Sequence, residues 1–286
     1  MSKGNWLSWA TRRSSIAGLV GLMALLPLGA SAERVLAVSE GSSGGGTAVT
    51  DAQMATKYKP LVEVMEKVLQ DSVQVRYVRS FAKLEQGMRD GSFDLVIARP
   101  SDYPARGVRD HGFSAVTTTL PDGHCLLVVR KDAPFKTLQE MQGKALILPE
   151  ESAYMTKFCL AELRDQGIKP SKIHHVREQA AIPFSVSKHL VEYGGIASYS
   201  GAAKRLEAEG LRVLFQSRPK PFLPLVAGRR ISPEQVQALR SAITELQATA
   251  EGGAALSAIG LKAFDTNPQQ RLLALLDWLE GKAGSN

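Results

Sequence analysis

The strongest constraint on this chain is a regular alternation of short apolar runs with amphipathic helical stretches, beginning at Arg34 and continuing to Phe215. Arg34–Ser39 reads as a strand. Tyr58, Leu61, Val62, Met65 and Val68/Leu69 then mark one face of a helix. Val73–Val78 is a second strand, Ser80 caps a helix carrying Phe81, Leu84 and Met88, and Phe93–Ala98 is a third strand. A β-α-β-α-β run predicts an α/β architecture with largely parallel sheets. Strands follow at Ser114–Thr119, Cys125–Arg130, Ala145–Leu148, Ile173–Val176, Gly195–Tyr199 and Leu211–Phe215. Between them, helices are expected after the capping box Thr137–Glu140, over Ala153–Gln166, near Phe184–Glu192 and over Ala202–Glu209. Two capping signatures, Ser232-Pro-Glu-Gln235 and Asn267-Pro-Gln-Gln270, open the C-terminal helices.

The N-terminus is a targeting signal and not part of this pattern. Arg12 and Arg13 precede the apolar stretch Ile16–Leu28, and Ala30-Ser31-Ala32 supplies a small-residue cleavage site. Ordinary secretion is expected, although the arginine pair also hints at twin-arginine export. Removing residues 1–32 takes away Lys3, Arg12 and Arg13 and no acidic residue, so the formal charge falls from +7 to +4. The excess is spread along the chain, which favours small anions over nucleic acid. Cys125 and Cys159 are compatible with a disulfide or with two buried thiols. With the histidines His124, His174 and His175 they match no metal-ligand spacing, and no metal or cofactor is expected. His174 and His175 are placed at a strand edge.

Function concentrates at strand ends. The apolar run Phe93–Ala98 stops abruptly in Arg99-Pro-Ser-Asp-Tyr103; Ala145–Leu148 runs into PEESAYMT, and Gly195–Ile196 into ASYSG. Ligands of open α/β sheets sit outside the carboxyl ends of strands, where helix N-termini also point. The strand pair near residues 115–130 and a return near Pro219–Gly228 suggest two lobes and a hinge. The expected division is a signal peptide at 1–32, the first part of lobe 1 at 33–120, and lobe 2 at 121–218. Residues 219–286 then supply a return strand and helices completing lobe 1.

Three segments, in order, carry a family resemblance: YKPLVEVMEKVL, MRDGSFDLVIARPSDY and DGHCLLVVRKDAPFKTLQEMQGKAL. Together they resemble the phosphonate/phosphate/phosphite-type periplasmic substrate-binding proteins of ABC transporters, over most of residues 34–280. The resemblance implies a type II periplasmic-binding-protein fold, two lobes closing on a small solute. It also implies an oxyanion held by hydroxyls and amides at a helix N-terminus. The sequence departs from that family at several such positions. Glu151-Ser152-Ala153-Tyr154 stands where a Ser-Thr-Ser-Gly turn is expected, and Arg177-Glu178-Gln179 where Gly-Ser-His is usual. Ile196 replaces an acidic residue, and Arg99 a residue that is usually apolar or glycine. Phosphonate as the ligand therefore does not follow from the resemblance.

The candidate ligand-binding residues are Arg99, Ser101, Tyr103, Ser152, Tyr154, Gln179, Tyr199 and Ser200. Arg99 can clamp an oxyanion bidentately or pair with Asp102. Tyr103 and Tyr199 can close over a ligand, and Ser101 and Ser152 can donate to an anion or serve as caps. Gln179 and Ser200 would face them from the other lobe. The glycine-rich stretch Gly41–Gly46 lacks the lysine of a nucleotide-binding loop and reads as a flexible rim. No catalytic constellation stands out. The expected protein is thus a periplasmic, monomeric, non-enzymatic binder of a small polar anion. It would present its closed form to a transporter permease; the alternatives are the same fold signalling to a membrane histidine kinase, and a periplasmic enzyme on this scaffold.

Overall fold

The computed structural model describes residues 33–41 and 49–282. The expected signal peptide and most of the glycine-rich stretch lie outside them. Eleven strands and eight helices are assigned among these residues. The first part comprises β1 (Glu33–Ser39), α1 (Asp51–Leu69), β2 (Ser72–Tyr77), α2 (Phe81–Asp90), β3 (Leu95–Ala98), α3 (Asp102–Asp110) and β4 (Ser114–Gly123). Then come β5 (Cys125–Arg130), β6 (Ala145–Pro149), α4 (Tyr154–Asp165), β7 (Lys172–Val176), α5 (Ala181–Ser187), β8 (Tyr193–Ala197) and β9 (Leu211–Gln216). The chain finishes with β10 (Lys220–Ala227), α6 (Pro233–Ala248), α7 (Ala250–Ala258), β11 (Ala263–Asp265) and α8 (Gln269–Leu279).

These strands form two sheets, each the centre of a lobe. The larger runs β11-β4-β10-β3-β1-β2 and the smaller β7-β6-β8-β5-β9. Both are mixed, where the sequence pattern suggested largely parallel pairing. β1, β2 and β3 are parallel, as are β6, β7 and β8. The antiparallel ladders come from the connections between lobes: the chain leaves through β4 into β5 and returns from β9 into β10. A strand that enters a sheet after crossing from the other lobe has no crossover helix to turn it parallel.

Each sheet is covered on both faces. Tyr58, Leu61 and Met65 of α1 pack with Leu239 and Ile243 of α6 on one side of the large sheet. Phe81, Leu84 and Met88 of α2 pack on the other. In the smaller lobe, Phe158 of α4 and Trp278 of α8 meet edge-on at 5.4 Å within one core. Ile182 and Val186 of α5 fill the opposite face. Helix α8 also inserts Leu272 and Leu276 against Ala105 and Ala115, so it bridges cores of both lobes. A disulfide joins Cys125 of β5 to Cys159 of α4, which settles the choice between bridge and free thiols.

Several local readings need correction. The segments at Leu138–Met141 and Ala203–Arg205 are single 3₁₀ turns, not α-helices. Helix α5 ends at Ser187, before most of the expected span. Asn267 does not cap α8: Pro268 occupies the cap position and supplies no side-chain bond. By contrast, Ser232 and Gln235 form the reciprocal capping pair ahead of α6, and Ser80 accepts from the Lys83 amide. Asp94, which interrupts the apolar run at β3, is fully buried. It accepts from the Val35 amide at 2.8 Å and pairs with Arg230 at 2.8 Å and Arg34 at 3.4 Å. A charge is tolerated there because its oxygens are neutralised and hydrogen-bonded.

Candidate functional site

The site begins with register. Ser39 at the end of β1 lies opposite Ala98 at the end of the parallel β3, and the Arg99 amide continues the ladder to the Ser39 carbonyl at 2.9 Å. The next residues, Glu40 and Arg99, therefore emerge side by side, with Arg99 Nε 2.6 Å from Glu40 Oε2. From α1, Lys57 Nζ and the Tyr58 hydroxyl both donate to Glu40 Oε1 at 2.7 Å. Glu40 is only 4 % exposed. Burial by itself would raise its carboxyl, but the adjacent Arg99 and Lys57 charges and the Lys57 and Tyr58 hydrogen bonds outweigh it. They hold the group below the ordinary range. Burial and the neighbouring Glu40 charge push the Tyr58 phenol well above its usual value, so it stays a donor. Two cations around one carboxylate leave an uncompensated positive charge.

Gly41, the next residue, has φ +58° and approaches Pro100 closely enough that a Cβ would stand 3.3 Å from its ring. Only glycine adopts this turn without strain.

The smaller lobe faces this cluster. Glu40, Gly41, Phe81, Arg99 and Pro100 from one side meet Tyr154, Met155, Gln179 and Tyr199 from the other, around a residual space of about 10 Å³. The Arg99 guanidinium lies 5.9 Å from the Tyr199 ring centre and 6.0 Å from that of Phe222, within cation–π range. Tyr199 and Phe222 stack at 3.9 Å. Their stacking depends on Gly123, because a Cβ there would stand 2.8 Å from Tyr199. Two larger spaces flank the constriction. One, of about 830 Å³, lies beside the strands that join the lobes and is reached by Lys57, Arg99, Tyr199 and Phe222. The other, of about 650 Å³, is bordered by Arg79, Ser80, Tyr103, Ser152 and Glu178.

Ion pairs cross between the lobes at that second space. Lys157 Nζ of α4 reaches the fully buried Asp102 at 2.8 Å, and Arg106 holds the same Asp102 oxygen at 3.0 Å. Arg79 and Glu178 pair at 3.8 Å.

The sequence-derived candidates divide accordingly. Arg99, Tyr154, Gln179 and Tyr199 converge at the constriction. Arg99 is paired with Glu40, not with Asp102 as the alternative reading had it. Tyr154 is buried, and burial pushes its phenol well above the usual value. Gln179 is buried, accepting from the Ala197 amide at 2.7 Å through Oε1. Ser101 is buried beside Tyr154, its hydroxyl donating to the Arg99 carbonyl at 3.3 Å; it holds the cap position of α3 but makes no side-chain capping bond. Tyr103 stacks on Phe81 at 5.3 Å between Arg106 and Lys157; burial, then Asp102, raise its phenol to about 12. Ser152 is exposed at the outer mouth, and Ala153, not Ser152, takes the cap position of α4. Ser200 is spent on its own turn, donating to the Ala197 carbonyl at 2.8 Å and accepting from the Ala203 amide.

The residues missed from sequence are Glu40, Lys57, Tyr58 and Phe222. Glu40 had a signal, since it follows a strand end directly as Arg99 does. Tyr58 opens a segment that carries the family resemblance, but its spacing marks it only as a position on the helical face; Lys57 has no local signal, because only the tertiary fold turns that part of α1 towards β1.

A model of the family described as "ABC transporter, phosphonate, periplasmic substrate-binding protein" matches residues 47–270. No curated protein matches the sequence. Among solved structures, XAC2383 from Xanthomonas citri, bound to ATP, superposes with a TM-score of 0.69 at 18% identity, covering 87% of this chain and 98% of that one. PhnD1 from Prochlorococcus marinus, in complex with methylphosphonate, gives 0.66 at 13% identity over 87% and 99%. A binding protein component of an ABC phosphonate transporter from Pseudomonas aeruginosa gives 0.63 at 17% identity over 86% and 85%. The two-lobed architecture is thus that of the type II periplasmic binding proteins. With most of its length matched by the family model, the chain belongs to the periplasmic substrate-binding proteins of phosphonate-type ABC transporters.

Proposed function

We propose that this protein captures a small anionic solute in the cleft between its lobes and hands it to the permease of an ABC transporter. In this reading residues 1–32 direct export to the periplasm, the mature chain acts as a monomer, and it performs no chemistry on its ligand. The observation that carries the reading is the excess positive charge where Lys57 and Arg99 surround the single carboxylate of Glu40, at strand ends facing the opposite lobe. A cation held in a partly dry cleft attracts an anion more strongly than it would in water. Arg99 supplies the planar fork suited to an oxyanion, and Tyr199 covers its face. The hydroxyl-rich oxyanion turn of the family is here replaced by Glu151-Ser152-Ala153-Tyr154, whose one aliphatic hydroxyl, on Ser152, is exposed, so the guanidinium takes over from hydroxyls and amides as the main anion contact.

A thermal-shift panel of the mature protein tests this, with phosphate, methylphosphonate, phenyl phosphate and sulfate set against neutral sugars and cationic amines. A ligand at a hundred times its dissociation constant adds about 2.7 kcal/mol. At about 2–4 °C per kcal/mol, that raises the melting temperature by roughly 5–11 °C. A shift with at least one anion, reduced tenfold in affinity by Arg99→Ala, is the expected result. Response only to neutral or cationic solutes would overturn the reading.

A further inference from the structure

The constriction at Arg99 leaves about 10 Å³ between the lobes, room for about one water molecule, whereas the space on the hinge side measures about 830 Å³. We propose that this hinge-side cavity is the main ligand chamber, and that its ligand is an organic phosphate or phosphonate with a flat apolar body, not a bare inorganic anion. The inference rests on the reading of the chain as an anion-capturing protein and narrows it to one chemical class.

Size is the first argument. Cavities of roughly 300–1,000 Å³ suit ligands of drug-like dimensions, and a free tetrahedral oxyanion would leave most of this one unfilled. Charge is the second. The chamber is bordered by Lys57, Arg99, Lys204 and Lys262 and by the carboxylate of Asp122, with Glu40 shared between Lys57 and Arg99 behind its wall, so four cations stand against two carboxylates. Asp122 is itself engaged by Arg271. Lys204 and Lys262 are exposed, and no ion pair is found for either among the described residues. The space on the other side of the constriction has the opposite balance, with Glu85, Glu150 and Glu178 against Arg79 and Arg177. An anion therefore prefers the hinge side.

The third argument is the wall. Tyr199 is half-buried and stacks on the largely buried Phe222, while Leu120, Leu223 and Leu261 add apolar surface to the same chamber. Gly123 is required behind Tyr199, because any Cβ would push the ring away from Phe222. A planar group can lie along this wall while its oxyanion meets Lys57 and the open edge of Arg99. The lysines also come from different parts of the fold: Lys57 from α1, Lys204 beyond β8 of the smaller sheet, and Lys262 between α7 and β11. An anion among them ties together the two lobes that must move as one in the loaded form.

The test is titration calorimetry of the mature protein with phenyl phosphate, methylphosphonate and inorganic phosphate. The expected result is phenyl phosphate binding at least tenfold more tightly than the other two. The double variant Lys204→Ala/Lys262→Ala should then weaken phenyl phosphate at least fivefold without changing the melting temperature of the free protein. Gly123→Ala should weaken it as well. If methylphosphonate or phosphate binds as tightly as phenyl phosphate and the double lysine variant leaves affinity unchanged, the chamber assignment is wrong while anion capture stands. If no anion binds at all, both readings fall together.

Discussion

Replacing Glu40 by glutamine isolates the electrostatics of the site. The carboxylate is 4 % exposed and sits within 2.6–2.7 Å of Arg99, Lys57 and the Tyr58 hydroxyl. Glutamine keeps the shape and an oxygen for Tyr58 but leaves two cations facing each other. Removing one partner of a buried ion pair costs about 3–5 kcal/mol when both groups are dry. The Arg99 and Lys57 side chains retain 19 % and 29 % exposure, so the lower end applies. About 3 kcal/mol corresponds to a fall of roughly 6–12 °C in melting temperature for a domain of this size. The pH dependence has a definite sign. Because the folded carboxyl titrates below its ordinary 4.5, its contribution is complete above that value and disappears as the pH falls through the folded pKa. The gap between wild type and Glu40→Gln, measured by circular dichroism melts, should therefore be full at pH 7 and close progressively below 4.5. Adding Arg99→Met should restore part of the loss by removing a cation that the first change left unpaired. Anion affinity should move the other way and rise in Glu40→Gln, since the carboxylate competes with the ligand for Arg99. A fall of less than about 2 °C at pH 7, or a gap that does not change with acidification, would refute this account.

Two further outcomes follow from contacts outside the constriction. Lys157→Ala removes an ion pair that joins α4 to the buried Asp102 in the opposite lobe, so small-angle scattering should show a larger radius of gyration for the free protein; identical scattering curves would mean that this pair does not hold the lobes. Serine at both Cys125 and Cys159 opens a bridge spanning 34 residues, which by chain entropy costs about 4 kcal/mol, so urea melts should show a marked loss of stability with binding retained in the folded fraction; unchanged melts would show that the bridge adds nothing.

Much of the framework was readable in the chain. The strands around β1, β3 and β6 and the caps at Ser80 and Ser232 are local matters, since apolar runs and capping pairs act within a few residues. Misreadings occurred where local signals were overruled. Asn267-Pro-Gln-Gln270 has the composition of a capping pair, yet the cap falls one residue later. Ala202–Glu209 has helix formers throughout, yet a single 3₁₀ turn forms there, at Ala203–Arg205. Ser152 looked like a cap, but the helix starts two residues beyond it.

Within the site the division is sharper. Arg99, Tyr154, Gln179 and Tyr199 could be nominated because each follows or flanks a strand end, and strand ends are where α/β sheets place their ligands. The sequence alone determined the α/β class, the two-lobed plan and the strand ends that carry polar groups, because periodicity and capping are properties of short segments. Only the tertiary structure decided that Glu40, not Asp102, neutralises Arg99, that Lys57 and Tyr58 join them from α1, and that the cleft narrows at that point. Those facts depend on strand register and on the approach of one lobe to the other. Ion pairs between residues 17 and 59 positions apart, and a cavity left between two surfaces, have no local signature from which they could be read.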